Sequence, residues 1–301
     1  MSNPSVGDVS AAARALGQAI EPVIGSVYFA PECHEGYTRL GFAPSTAKAG
    51  QVALPDGPAY FTSRGSALGQ VPGELVASAF AVFNPSAVIP SVAYGWSLTD
   101  AATIASSRTN GATAQLVRLL GEAPLDLDQV IATLQRAVDV LRPEGRPLFA
   151  GLTALPKPDT PIGRMWRLGD CLREFRGDSH TAAWIGAGLD AIEIGLLSEL
   201  YWGLPLHSYI RTRAWSDEQV DTAIERLASR GLVANNTFTE TGRELREAIE
   251  QRTDAQMTPA LEAIGGGLAA LCATMQSWGA TVRAGHGYLA AGAADLARPV
   301  G

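Results

Sequence analysis

The clearest alternation of apolar and polar positions lies between Trp215 and Asp254, in the string WSDEQVDTAIERLASRGLVANNTFTETGRELREAIEQRTD. Val220, Ile224 and Leu227 recur at i, i+4 and i+7, which places them on one helical face. Ser216 stands where an N-cap belongs, and Gln219 completes a capping box. Gly231 is placed to end this helix in the left-handed conformation. Leu232-Val233 and Thr237-Phe238 bracket Asn235-Asn236, a pair suited to the tip of a hairpin. Thr241 with Glu244 predicts a second capping box, and Leu245, Ala248 and Ile249 form the next apolar stripe.

Elsewhere the pattern predicts helices joined by short breaks. Residues 1–9 read as a frayed polar lead-in. Residues 11–28 carry Leu16, Ile20, Val23 and Ile24 at helical spacing, with Pro22 near a start or a kink. A second helix over 31–40 begins with Pro31 and stops before Gly41. A loop follows over 43–58, then a short strand at 60–62. Apolar helical stretches at 75–83 and 86–96 flank Asn84-Pro85. Further helices are expected over 99–110, 113–120 and 126–141, with strand or loop at 148–155. Long helices are expected over 162–175 and 180–201. A last helix over 258–278 is weakened by Gly265, Gly266 and Gly267, and 283–301 reads as a loose tail.

RLASRGLV followed by FTETGRELREAIEQRTD resembles the MarR-type winged helix. The segments YFAPECHEGYTRLGF, AYFTSRGSALGQVP, FNPSAV and RGDSH are similar to an actinobacterial group labelled only as a helix-turn-helix family, over residues 10–265. The resemblance implies a mainly α fold with winged-helix units and carries no activity with it. Two strings echo across the chain: LGF at 40–42 answers RGL at 230–232, and FTSRG at 61–65 answers FTETG at 238–242. They suggest a diverged duplication, a MarR-like pseudo-dimer in one chain; the alternative is coincidence among short strings of biased composition. The expected organisation is a diverged half at 10–100, a helical connector at 101–200, a winged-helix half at 201–265 and a terminal helix with a tail at 266–301.

Charge alters the expectation for this scaffold. The net charge is −7 with 47% hydrophobic residues, and the pI is near 5.2. Lysine occurs only at Lys48 and Lys157, an arginine bias typical of a GC-rich genome. The helix before the hairpin presents Asp217, Glu218, Asp221 and Glu225, with arginines only at Arg226 and Arg230. The hairpin tip carries no cation. The matching helix of the first half begins with Glu32 and Glu35. Duplex DNA is held largely by Lys and Arg on its phosphates, so DNA as a partner is disfavoured. Cys33, Cys171 and Cys272 are widely spaced and read as reduced thiols. No leader pattern and no apolar run of about 18 residues stands out, so the expected location is cytoplasmic and no membrane is expected as a partner.

Candidate chemistry rests on histidines and aromatic residues. His180, after Arg176-Gly177-Asp178-Ser179, would open a helix capped by Asp178 or Ser179, whose dipole would keep the ring neutral. Trp184 lies one turn on. His34 lies in Pro31-Glu32-Cys33-His34-Glu35. If the halves embrace, His34 and His180 would share a pocket with Glu32, Cys33, Tyr37 and Trp184. Each histidine also has a plain reading as a cap or core residue. Neither has a metal spacing such as H-E-x-x-H, so a metal or haem is only a weak expectation at His34 and His180. Tyr60, Phe83 and Trp96 are candidate aromatic walls, and the MarR resemblance places small aromatic ligands where connecting helices meet the winged helix. No P-loop or nucleophile elbow is present. The leading expectation is a protein that senses, carries or sequesters a small apolar or aromatic molecule, as a monomeric pseudo-dimer or a homodimer. The alternatives are a DNA-binding regulator and an enzyme or haem or metal protein using His34 and His180.

Overall fold

Twenty-six consecutive residues, Pro161–Gly186, form the longest helix of a computed structural model that describes residues 6–297. In chain order the helices are α1 (Val6–Ile24), α2 (Pro31–Arg39), α3 (Gly57–Gly65), α4 (Gly73–Phe80), α5 (Pro85–Leu98), α6 (Ala101–Leu120), α7 (Leu127–Asp139), α8 (Pro147–Ala154), α9 (Pro161–Gly186), α10 (Ala191–Tyr201), α11 (Asp217–Ser229), α12 (Glu240–Ala255), α13 (Thr258–Ile264), α14 (Leu268–Ala284) and α15 (Ala293–Ala297). Two antiparallel hairpins, β1 (Lys48–Ala49) with β2 (Val52–Ala53) and β3 (Val233–Ala234) with β4 (Thr237–Phe238), are the only sheets among the described residues. The protein is mainly α, as expected.

The local signals around α11 are realised. Ser216 Oγ accepts from the Gln219 amide and Gln219 returns the bond to the Ser216 amide, closing the capping box. Gly231 takes φ +69°, and Asn235 and Asn236 take +51° and +57°. Val233 pairs with Phe238 and Ala234 with Thr237. The cap of α12 is Thr239 rather than Thr241: its hydroxyl accepts from the Gly242 amide at 3.0 Å and donates to Gly231 O at 2.6 Å. A Cβ on Gly242 would stand 1.9 Å from Leu232 O, so the helix start is pressed directly onto the hairpin. Pro31 opens α2, and Gly41 follows it at φ +101°.

Several expected boundaries move, two of them for a contact the local pattern does not contain. The expected strand at 60–62 lies inside α3, because Asp56 caps that helix through the Ala59 amide and Pro58 sits in its first turn. Asn110-Gly111 does not end a helix: α6 runs through both, and Gly111 lies where a Cβ would stand 2.6 Å from Cys33 Cα. Residues 148–154 fall in α8, not in strand or loop; Asp178 Oδ2 accepts from the Leu148 and Phe149 amides at 3.1 and 3.0 Å and caps that helix from across the fold. Asp178 and Ser179 therefore do not cap a helix of their own. α9 continues through His180 and ends at Gly186, where Gly188 at φ +71° turns the chain, and a capping box of Asp190 and Glu193 starts α10.

The chain ends also differ. The helix starts at Val6, within the expected lead-in, whose residues 1–5 lie outside the described set. In the expected tail, Tyr288 and Leu289 are buried and α15 forms; residues 298–301 lie outside the described set. A hairpin, β1–β2, occupies part of the expected loop at 43–58. One stretch, Thr258–Ala284, is long and apolar enough by composition to cross a membrane, which the sequence pattern did not bring out. A 3-10 turn at Gly265–Gly267 interrupts it, and Leu271, Met275, Trp278 and Val282 are buried in the core.

Three apolar clusters hold these elements. The largest runs from Ala13 to Leu289 and is built around Trp166, Leu172 and Met275. A second joins the end of α9 to α10, α11, β3 and α12 through Trp184, Leu196, Val220, Leu227 and Ile249. A third gathers Phe61, Val76, Phe80, Phe83, Val88 and Leu148. The order 3-10 turn, helix, hairpin, helix occurs twice, after Gly25–Phe29 and after Ile210–Arg213. Of the strings that suggested the repeat, LGF and RGL both close the helix before a hairpin, with Gly41 and Gly231 at positive φ, but FTSRG lies within α3 whereas FTETG spans β4 and the start of α12. The packing differs too. α11 and α12 share one cluster, whereas α2 contributes to the largest and α3 chiefly to the third.

Candidate functional site

Beside α9 an aromatic cluster and a charged cluster meet. Tyr60, brought round by α3, stands with its ring centroid 5.2 Å from Tyr28, 5.3 Å from Phe61 and 5.7 Å from Phe83. One turn on, Arg64 lies over the Phe80 ring at 4.5 Å and grips Glu174 with Nε and Nη2 at 3.1 and 2.8 Å. Glu174 is also held by Arg173 at 2.9 Å and accepts from the Tyr28 hydroxyl at 3.3 Å. Arg108 pairs with Asp170 at 2.7 Å and lies over the Trp166 ring.

This cluster is balanced rather than reactive. Against its own burial, the charges of Arg64 and Arg173 hold the Glu174 carboxyl down, to about 2. Burial pushes the Tyr28 hydroxyl well up, so it stays neutral. A void with about 10 Å³ of room lies between Arg64, Arg108, Asp170, Glu174 and Leu148, enough for one water. The arrangement fixes positions and presents neither a free base nor a nucleophile. The sequence reading missed these charges; the signal was there in Asp170, Arg173 and Glu174 at helical spacing within an otherwise apolar face.

The aromatic cluster is tied to α11 by residues 82–84. Phe83 is buried in the cluster, and the next residue, Asn84, caps α5 by accepting from the Ser86 amide at 3.0 Å. The same side chain donates to Ala214 O at 2.9 Å and to Gln219 Oε1 at 3.4 Å. The Asn84 amide donates to Arg213 O at 2.9 Å, and Trp215 Nε1 donates to Val82 O at 2.9 Å. The strap begins with a γ-turn, Val82 N–H to Phe80 O at 2.6 Å, in which Ala81 takes φ +53°. A non-glycine residue in that region costs on the order of 1–3 kcal/mol.

The residues singled out from sequence fall into separate places. Tyr60 and Phe83 meet in the ring cluster, and Trp96 packs at its edge, donating to Val71 O at 2.7 Å. Tyr37 is buried against Phe42 and Cys33 on α2. Glu32 faces outward and pairs with Arg118 at 2.6 Å. His34 Nε2 lies 3.0 Å from Tyr28 O, and burial lowers its pKa. His180 lies late in α9, with Nδ1 3.0 Å from Thr253 Oγ1 on α12. Thr253 donates its own proton to Ile249 O, so His180 Nδ1 is the donor. His180 is neutral because burial lowers its pKa to about 4. The expected cause, a helix N-terminus, does not apply. Trp184 lies in the second apolar cluster, its indole N–H buried without a partner. His34 and His180 thus have different partners on different helices, and the shared pocket expected for them does not form. Among the described residues no three His, Cys, Asp or Glu side chains gather to hold a metal ion.

The outer face of α11 is acidic in three dimensions as well. Asp217, Glu218, Asp221 and Glu225 are exposed. Arg226 is turned inward to Asp190 and to Glu193 at 3.4 Å, and Arg230 reaches Glu193 at 3.2 Å. These cations are neutralised by the buried Glu193 and the exposed Asp190.

The sequence model of a family described as "Helix-turn-helix family" matches residues 13–289. No curated protein matches the chain, and no solved structure does.

Proposed function

The chain belongs to this helix-turn-helix family, and we propose that it uses the scaffold to bind a small aromatic molecule rather than to read duplex DNA. The unit from α10 to α12 serves as a MarR-like winged helix in this reading, with α11 in the place of the reading helix. The single observation that carries the proposal is the orientation of charge on α11. Its two arginines are bound to Asp190 and Glu193, while four carboxylates face outward. DNA affinity depends on cations neutralising phosphates, so this face repels the duplex.

What supports ligand binding is the seam between the aromatic cluster and α11. Binding sites favour such junctions, where aromatic walls adjoin a few placed polar groups. Tyr60 and Phe83 supply the wall, and Asn84 connects it to Gln219 in the first turn of α11. A molecule seated against Phe83 would therefore be felt at the winged helix. His34, Tyr37 and Trp96 border the same body from other sides, and His180 and Trp184 border the winged-helix core. The repeated order of elements fits a duplicated pseudo-dimer within one cytoplasmic chain.

The test has two arms. Anisotropy of a labelled duplex at low salt should show no binding, and mass spectrometry of an extract of the purified protein should reveal an aromatic compound. Tight duplex binding that weakens steeply with salt would instead support a DNA-binding regulator, the reading that family membership favours.

A further inference from the structure

We infer that Arg213 anchors the carboxylate of a planar ligand at the seam between the aromatic cluster and the winged helix. This rests on the small-molecule reading above and names the chemistry of its ligand. Arg213 closes the 3-10 turn Ile210–Arg213. Its guanidinium carbon lies 4.5 Å from the Phe83 centroid and 4.6 Å from the Tyr209 centroid. One ring comes from each body, so the cation bridges the seam. One of its N–H groups donates to the Tyr209 hydroxyl. Its backbone carbonyl is fixed by the Asn84 amide at 2.9 Å.

Three arginines of the neighbouring helices have carboxylates: Arg226 and Arg230 hold Glu193, and Arg246 holds Glu250 at 2.5 Å. Among the described residues no carboxylate forms an ion pair with Arg213, although it is only partly exposed. Two rings beside the guanidinium stabilise the cation. Tyr209 takes one N–H, and the other end of the fork is left for an acceptor. Five donors in a rigid fork match two coplanar oxygens, and a carboxylate meets that requirement better than a single-oxygen acceptor.

The body of the ligand has a surface to lie on. Trp202 stacks edge-on against Tyr209 at 5.1 Å and is 47% exposed. Trp202, Tyr209, Arg213 and Phe83 thus form a series of ring, ring, cation, ring, with the cation two steps from the exposed end and Tyr209 between. A bicyclic aromatic acid presents a planar face to the rings and a carboxylate to the cation. On α11, Asp217 and Asp221 lie beside His207 at 3.7 and 3.0 Å.

The probes are 2-naphthoate and its neutral counterpart 2-naphthamide, titrated by calorimetry and by tryptophan fluorescence. The wild type should prefer the acid by roughly tenfold or more, the ratio expected of hydrogen bonds to a charged group. Arg213→Gln should lose that preference while binding the amide as before. If that variant does not fold, Arg213→Lys, which keeps charge but not the planar fork, should show the same loss of preference. An acid preference that survives both substitutions overturns the assignment of Arg213 and leaves small-molecule binding intact. Failure of the wild type to bind either probe overturns the ligand chemistry, and the extract experiment above then decides the broader reading independently.

Discussion

The side-chain carbonyl of Gln219 accepts two hydrogen bonds, one from the Ser216 amide at 3.1 Å and one from Asn84 Nδ2 at 3.4 Å. The first closes the capping box of α11; the second comes from the residue that caps α5. One oxygen thus joins the start of the outward-facing helix to the strap behind the aromatic cluster.

Asn84→Ala should therefore act at a distance. Losing the α5 cap costs about 1 kcal/mol, which should appear as a lower melting temperature. Amide exchange in the first turn of α11 should also accelerate, since Ala214 O and Gln219 lose a donor together. Unchanged exchange at Asp217 to Asp221, with α5 alone destabilised, would show that the two bodies are not coupled through this residue.

Two residues on α9 should give opposite pH responses. Burial raises the Asp178 carboxyl from 3.8 to about 6, so the folded state binds its proton more tightly and the stabilising effect present at low pH is lost as pH rises towards 6. Burial lowers His180 from 6.5 to about 4, so the unfolded state takes up the proton first and stability is lost as pH falls from 6.5 towards 4. Between pH 4 and 6.5 these two contributions oppose each other in the wild type. Asp178→Asn should slope upward with pH and His180→Gln downward. Urea midpoints across the window measure both slopes, and equal midpoint shifts at every pH would refute the assignment.

Gly111→Ala should destabilise the fold, although alanine is the better helix former. Its Cβ would meet Cys33 Cα at 2.6 Å, Cys33 Sγ at 2.6 Å and Cys33 N at 2.7 Å. Backbone cannot yield as a side-chain tip does, so overpacking should cost about 1–3 kcal/mol. A thermal melt unchanged or raised by the substitution would mean that α2 and α6 are not so closely pressed.

Replacing Asp217, Glu218, Asp221 and Glu225 together by lysine should create duplex affinity where the wild type has none. The gain should fall with salt at a slope of about 0.9 per phosphate neutralised. If the lysine variant still ignores DNA, shape rather than charge excludes the duplex from α11.

Much of the candidate site was hidden for a definable reason. Tyr60 and Phe83 were singled out as aromatic walls and do meet, at 5.7 Å. Their neighbours Arg64, Glu174, Asn84 and Arg213 were not, because polar residues read as solvated until a partner far along the chain is known. Arg64 and Glu174 lie 110 positions apart, and Asn84 and Gln219 lie 135 apart. His180 was expected to be neutral and is, yet its environment comes from α12 rather than from a helix start.

The sequence by itself determined the features whose hydrogen bonds close within a few residues. These include the capping box at Ser216 and Gln219, the left-handed Gly231, the Asn235-Asn236 turn and the opening of α2 at Pro31. It also determined the sign of the α11 surface, since four carboxylates on one helix are visible without coordinates. Tertiary structure decided where α6 and α9 run on, what starts α8, and which way Arg226 and Arg230 turn. At each of these places a glycine, carboxylate or guanidinium finds its partner on another helix. A breaker or cap then becomes a contact, because burying a polar group or closing a gap between backbones outweighs a local preference of about 1 kcal/mol.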